Sequence, residues 1–308
     1  MDHPIPIRTL RYVGYLLAAT GLLVALWLSL AARPVAHAAS SVSIFALTTN
    51  NTLVQFNSAT PGTIISTVPI SGILGSENIV GIDFQPGTGQ LFAAAFNGAS
   101  DHVYVIDPGT GVATVVNASS FTPTLSGTSF GFDFNPVANR IRTVADTDQN
   151  MRLNPITGLV AGSDVLLDYT TGDPNDAANP NVVGAGYTNN VAGAITTTLY
   201  VIDSTLNILA RQGGVGGAPS PNGGQLTTIG LLGFVTSPLV GLDIAWDGTA
   251  FASLTDPGGG TTNSKLFTIN LATRAATFVG TIGDAGTGRI RGLAIPTLKG
   301  VYLPIVLK

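Results

Sequence analysis

Arg140, Arg142 and Arg152 place three guanidinium groups within thirteen positions of a chain that holds ten arginines and three lysines in all. A guanidinium is a planar fork that matches a carboxylate or sulfate group with two parallel hydrogen bonds. Arg140 and Arg142 are two residues apart, so a strand would turn both toward one face. With Gln149 and Asn150 beside them, these residues form a candidate ligand-binding set. The alternative is internal pairing with Asp133, Asp146 or a neighbouring unit, the usual fate of a buried arginine. Within the same run, Asp146-Thr147-Asp148-Gln149-Asn150 has the D-x-D-x-N spacing of a calcium loop, making Asp146, Asp148 and Asn150 candidate ligands of Ca2+. It lacks the Gly and the distal Glu of an EF-hand, and a polar hairpin that satisfies its own backbone is the competing reading.

Other chemistry-bearing groups are sparser. Asp83, Asp133 and Asp243 recur at one position of a repeated strand. Three carboxylates around a channel could hold a cation or sugar hydroxyls, but each is expected to bond a turn of its own unit. Glu77, the sole glutamate, is expected to be a solvated loop carboxylate. Gly127-Thr128-Ser129-Phe130-Gly131 spells G-x-S-x-G, yet it leads into a strand rather than a helix, so it is no nucleophile elbow. Gly213-Gly214-Val215-Gly216-Gly217 precedes no helix and reads as an inserted flexible loop over residues 211–226, not a dinucleotide site.

The elements that must position these residues are repeated. A G-x-[DAG]-hydrophobic strand starts at Gly81, Gly131, Gly184, Gly241 and Gly292, at intervals of 50, 53, 57 and 51 residues. A turn opened by Asn57, Asp107, Asn154, Asp203 or Asn270 follows an alternating or apolar strand in every unit. The first full unit reads as four strands, over residues 82–84, 91–96, 103–106 and 113–116, and four-stranded meanders of about 50 residues are propeller blades. The last Gly-Leu-Ala-Ile strand lacks a hairpin after it. The first three strands, over residues 44–49, 53–56 and 64–68, lack an inner strand before them. Together they complete one blade. The expected fold is therefore all-β, a five-bladed β-propeller closed by a composite blade of N-terminal strands and the last C-terminal strand, which removes open sheet edges.

Composition agrees with that reading. Hydrophobic residues make up 45% and charged residues 10% of the 308, and 38 Gly with 18 Pro imply many turns. The absence of cysteine excludes disulfides, thiolate metal sites and cysteine nucleophiles. Residues 1–38 read as a signal peptide, with Arg8 and Arg11 before an apolar stretch and Ala36-His37-Ala38 as the processing site; an uncleaved membrane anchor is the alternative. Residues 39–296 are the propeller domain. Residues 297–308 form a tail with a Tyr302-Leu303-Pro304 motif, either a surface-attachment signal or an extra edge strand. Removing Asp2, Arg8, Arg11 and Arg33 with the leader leaves 16 acidic and 10 basic residues, a balance that disfavours nucleic acid.

The run from Arg140 to Gly158 resembles the signature of the bacterial domain of unknown function 4394 family. So do Ala178-Asn179-Pro180-Asn181-Val182-Val183, Tyr187-Thr188-Asn189 and Thr198-Leu199-Tyr200-Val201-Ile202-Asp203. The resemblance spans roughly residues 43–296 and implies an exported propeller-like protein with no established reaction; it carries over no catalytic residue. At Asp148 the family pattern has Gly. The function expected is a non-enzymatic binding or cell-surface module, secreted or held at the cell surface, monomeric, with an extracellular glycan or protein as partner. Membrane contact would come only through an uncleaved leader, and Ca2+ is the one cofactor the residues suggest. The alternative is a metal-dependent extracellular hydrolase or lactonase-like enzyme built on Glu77, Asn78 and the Asp146 loop.

Overall fold

The computed structural model describes residues 41–258 and 263–297. The proposed leader and the tail from Leu298 onward lie outside the described residues. Met1–Ser40 and Ser41–Lys308 are separate units, and everything below concerns the second.

Among the described residues, twenty-one strands form five sheets. Strands β1 (Ser43–Thr48), β2 (Thr52–Asn57) and β3 (Thr60–Pro69) begin the chain. The second blade is β4 (Asn78–Phe84), β5 (Leu91–Phe96), β6 (Asp101–Ile106) and β7 (Ala113–Val115). The third is β8 (Phe130–Asn135), β9 (Arg140–Ala145), β10 (Asn150–Leu153) and β11 (Val160–Ser163). A short β12 (Asp168–Tyr169) then precedes the fourth blade, β13 (Val182–Tyr187), β14 (Leu199–Asp203), β15 (Ile208–Gln212) and β16 (Gln225–Leu231). The fifth is β17 (Val240–Ile244), β18 (Ala250–Leu254), β19 (Lys265–Ile269) and β20 (Ala276–Thr281). Strand β21 (Ile290–Ala294) returns to pair antiparallel with β1, in the order β21-β1-β2-β3. The ring is thus closed by the composite blade that the repeat phase predicts.

Both repeated signals have a physical cause. The innermost-strand glycines Gly81, Gly131, Gly184 and Gly241 sit where neighbouring inner strands converge. A Cβ on Gly131 would lie 2.8 Å from the backbone of Gly184 and Ala185, and one on Gly241 would lie 2.7 Å from that of Gly292 and Leu293. Only glycine permits that approach. Each turn-opening residue accepts a hydrogen bond from the N–H two residues on: Asn57 from Ala59 (2.8 Å), Asp107 from Gly109 (2.8 Å), Asn154 from Ile156 (2.9 Å), Asp203 from Thr205 (2.9 Å) and Asn270 from Ala272 (3.0 Å). Between blades, apolar side chains interdigitate, with Phe45 edge-on to Phe84 at 5.4 Å and Phe92 edge-on to Phe134 at 5.3 Å.

The fourth blade departs from expectation. It carries a fifth strand, because β12 crosses from the third blade and pairs in parallel with β16. The glycine-rich segment after β15 is not a flexible loop. Two 3-10 turns, Val215–Gly217 and Pro221–Gly223, fold it back, and Gly213 and Gly214 donate to Gln225 and Pro219 carbonyls. The buried Pro221 carbonyl accepts from Gln212 Nε2 (2.9 Å) and Asn150 Nδ2 (3.3 Å). Its glycines serve the tight turns and leave the loop well bonded.

Candidate functional site

The three arginines converge on a cleft of about 210 Å³ between the third and fourth blades. Arg140 and Arg142 come from β9 and Arg152 from β10, where Arg152 stands directly across from Arg142 in the ladder. The far wall is Tyr187 at the end of β13, residues 195–197 and the folded 216–222 loop. No acidic side chain is among the described lining residues.

Arg142 is almost fully buried and is held on four sides. It donates to Asp164 Oδ2 (2.5 Å), Asn150 Oδ1 (2.6 Å), Asn222 Oδ1 (2.6 Å) and Tyr187 Oη (3.4 Å). Arg152 forks onto the same Asp164, Nε to Oδ2 at 2.9 Å and Nη2 to Oδ1 at 2.8 Å, which holds its guanidinium more firmly protonated. Its side chain keeps 30% exposure, and Arg140 spends one N–H on the Asn139 carbonyl (2.8 Å). One carboxylate therefore answers to two buried or half-buried guanidiniums, and a third stands beside them. Asp164, Tyr187 and Asn222 escape sequence reasoning because they reach Arg142 from 22, 45 and 80 positions away.

The other two candidate binding residues are elsewhere. Gln149 pins a loop, accepting from Ser126 N–H (2.9 Å) and donating to the Thr124 carbonyl (2.8 Å). Asn150 is buried behind Arg142, with its oxygen shared between Arg142 and Gln212. Of the calcium-spaced residues, Asp146 and Asn150 are likewise committed to different partners. Asp146 accepts from Thr128 N–H (2.9 Å), Thr128 Oγ1 (2.5 Å) and Ser129 N–H (3.1 Å). It thereby shapes the lip of a second pocket of about 170 Å³, lined by Thr128, Ser129 and Arg291. Asp148 adopts a left-handed φ of 65°, with one buried oxygen unpartnered, and burial with the charges of Asp168, Asp203 and Asp146 raises its pKa.

Glu77 is not a solvated carboxylate. It is buried in the second blade, 2.6 Å from His102 Nδ1, and it accepts from Ser100 Oγ (3.0 Å) and Tyr104 Oη (2.7 Å). Neighbouring Asp101 is buried too. It accepts from Leu125 N–H (2.5 Å), and burial pushes its pKa up to about 6.

Asp83, Asp133 and Asp243 meet on the propeller axis, with one oxygen of each within 4.8 Å of the others. Contrary to the expectation that each bonds a turn of its own blade, they bond the innermost strand of the next blade. Asp83 accepts from Phe134 N–H (2.8 Å), Asp133 from Tyr187 N–H (3.0 Å) and Asp243 from Ile295 N–H (2.5 Å). Asp83 also takes its neighbour Phe84 N–H (2.7 Å). Desolvation, then mutual repulsion, holds Asp83 and Asp133 well above the ordinary carboxylate range. Asp243 is raised to about 7 by burial, against the opposing pull of the Ile295 and Ile244 N–H groups and the Asn190 amide beside it. That amide favours the charged Asp243 but closes no hydrogen bond of good geometry.

These features define a closed β-propeller scaffold with an arginine-lined cleft between two blades and a carboxylate cluster on its axis. The chain belongs to the family described as domain of unknown function (DUF4394), whose model matches residues 52–294. A comparison with curated proteins returned no match. Among solved structures, the chain is similar to TolB from Acinetobacter baumannii (12% identity, TM-score 0.41), covering 78% of this chain and 53% of that one, about half of its length. It is also similar to a chain of a nidogen/laminin complex (12% identity, TM-score 0.45, 83% and 98% covered). Glutaminyl cyclase from Myxococcus xanthus is a third likeness (11% identity, TM-score 0.40, 84% and 98% covered). At such scores none of them bears on the site.

Proposed function

We propose that this protein is an exported, non-enzymatic binding module that holds the carboxylate or sulfate group of an extracellular glycan or protein in the cleft between its third and fourth blades. The observation that carries this reading is the convergence of Arg140, Arg142 and Arg152 on a concave, acid-free surface where a single carboxylate, Asp164, offsets their charge. Arg142 is locked by its four partners and lends positive potential. Arg140 and the outer edge of Arg152 are the groups that would touch an anion. Prepositioned guanidiniums lower the ordering cost of binding, and the propeller ring supplies that rigidity. The hydrolase alternative draws no support from Glu77, whose two oxygens are bonded within the second blade.

Calorimetric titration with uronate-containing, sulfated and neutral oligosaccharides tests the proposal. An acidic ligand should bind at low salt and weaken as salt rises. The variant Arg140→Met with Arg152→Met should weaken it by about tenfold or more, the scale of losing charge-assisted contacts of about 1.5–3 kcal/mol. Equal binding of neutral and acidic ligands, or an unchanged affinity in the double variant, would rule the cleft out.

A further inference from the structure

We propose that Asp83, Asp133 and Asp243, together with Asn190, hold one hard divalent cation on the axis of the propeller, Ca2+ being the ion that fits best. One oxygen from each aspartate lies within 4.8 Å of the other two, the span expected of oxygens around a single ion bonded at about 2.3–2.6 Å. Every carboxylate is anchored to the backbone of the next blade, Asp133 and Asp243 through one oxygen and Asp83 with its other oxygen also on Phe84 N–H, so each orientation is set before any ion arrives. The second oxygens of Asp133 and Asp243 are buried and have no partner. Asn190, which follows β13 and is 1% exposed, leaves both its amide oxygen and its amide nitrogen unpartnered beside Asp243. Buried polar atoms are rarely left so, and the unpartnered oxygens of Asp133 and Asp243, with the Asn190 amide oxygen nearby, call for a ligand that accepts oxygen donors.

The donor set is all oxygen, with no imidazole or thiolate, which selects a hard cation over zinc or copper. Such an ion would be structural. The axial channel lined by the innermost strands has room for only about 10 Å³, too little for a substrate. Its ligands come from the second, third, fourth and fifth blades, and Asp243 also reaches Ile295 at the end of the composite blade. One ion would therefore tie the whole ring. Gly186 and Ala294 occupy the equivalent positions of the fourth and composite blades and supply no side-chain ligand, which makes the site three-sided, with Asn190 filling the fourth-blade gap.

The test is to unfold the purified protein in guanidinium with EDTA, refold it metal-free, and record thermal unfolding alone and with Ca2+, Mg2+ or Mn2+. Elemental analysis of the untreated protein runs in parallel. The expected result is about one equivalent of divalent cation per chain and a transition raised by about 5–10 °C at saturating Ca2+. Asp133→Asn, which keeps an acceptor for Tyr187 N–H, should abolish the shift. If that variant fails to fold, Asn190→Ser serves, with a Ca2+ response weakened at least about tenfold. No bound metal together with no shift from any of the three ions would overturn the proposal. So would a shift retained in the variants. A metal-independent protein made more stable by Asp133→Asn would show instead that the cluster is held by shared protons.

Discussion

At the scale of single residues, Arg140 and Arg142 illustrate how far apart two neighbours on one strand face can be in what they do. Replacing Arg142 leaves Asn222 and one oxygen of Asp164 without that donor inside the protein and leaves Asn150 with Gln212 alone. Arg142→Met should therefore cost about 2–4 kcal/mol, because removing one partner of a buried pair strands the rest. Arg140→Met should change stability by less than about 0.5 kcal/mol, as for most partly exposed surface positions without buried partners. Denaturant titration of the two variants separates them, and similar losses would contradict the burial difference. Asp101 supports a pH prediction. Its carboxyl binds a proton more tightly in the folded state, so its contribution is complete below about pH 4 and is lost as pH rises through its folded value of about 6. Glu77 and His102 face it and remain in both proteins compared. Asp101→Asn keeps an acceptor for Leu125 N–H, so its stability relative to wild type should rise by about 2 kcal/mol between pH 4.5 and 7.5. Parallel wild-type and variant curves across that range would show that Asp101 does not titrate there.

At the scale of elements, what the repeats encode locally was legible and what they bring together was not. An inner-strand glycine and a turn-opening Asp or Asn each act within a few residues, so their type and spacing expose the blade plan directly. The strand ends shift by a few residues, as at β4, which starts at Asn78 because the ladder to Phe96 continues past the apolar core. The Asp83, Asp133 and Asp243 contacts each leap 51–54 positions to the next blade, and nothing in a local pattern separates that partner from a turn of the same blade. Asn190 and Asp164 carry no motif at all. The lone glutamate misled for a related reason, since its burial depends on His102 and Tyr104, 25 and 27 positions away. The glycine rule is itself testable. Gly131→Ala forces a methyl to within 2.8 Å of the fourth blade's backbone, whereas Gly87→Ala meets nothing within 4 Å. The first should cost about 2 kcal/mol or more. The second should be neutral or stabilising by a few tenths up to about 1 kcal/mol. Equal effects in chemical denaturation would mean that the inner strands can part without penalty.

At the scale of the whole propeller, closure rests on one strand of five residues, β21, pairing with β1. Without it, β1 presents an open edge and the apolar face of Leu293 and Ile290 is lost from the cluster that joins the fifth blade to the composite one. Unpaired edges recruit other chains, and the inner strands of the fifth and second blades both pack against β21. A chain ending at Gly288 should therefore lose its sharp thermal transition and elute as aggregates in size-exclusion chromatography. A chain ending at Thr297 keeps β21 and Ile295, whose N–H binds Asp243, and should unfold like the full-length protein. The contrast matters more than either variant alone, because the two differ by nine residues yet only one retains the closing ladder. If the chain ending at Gly288 remained monomeric and melted cooperatively, four blades and a three-stranded sheet would suffice, and the composite blade would be an addition to the fold instead of its clasp.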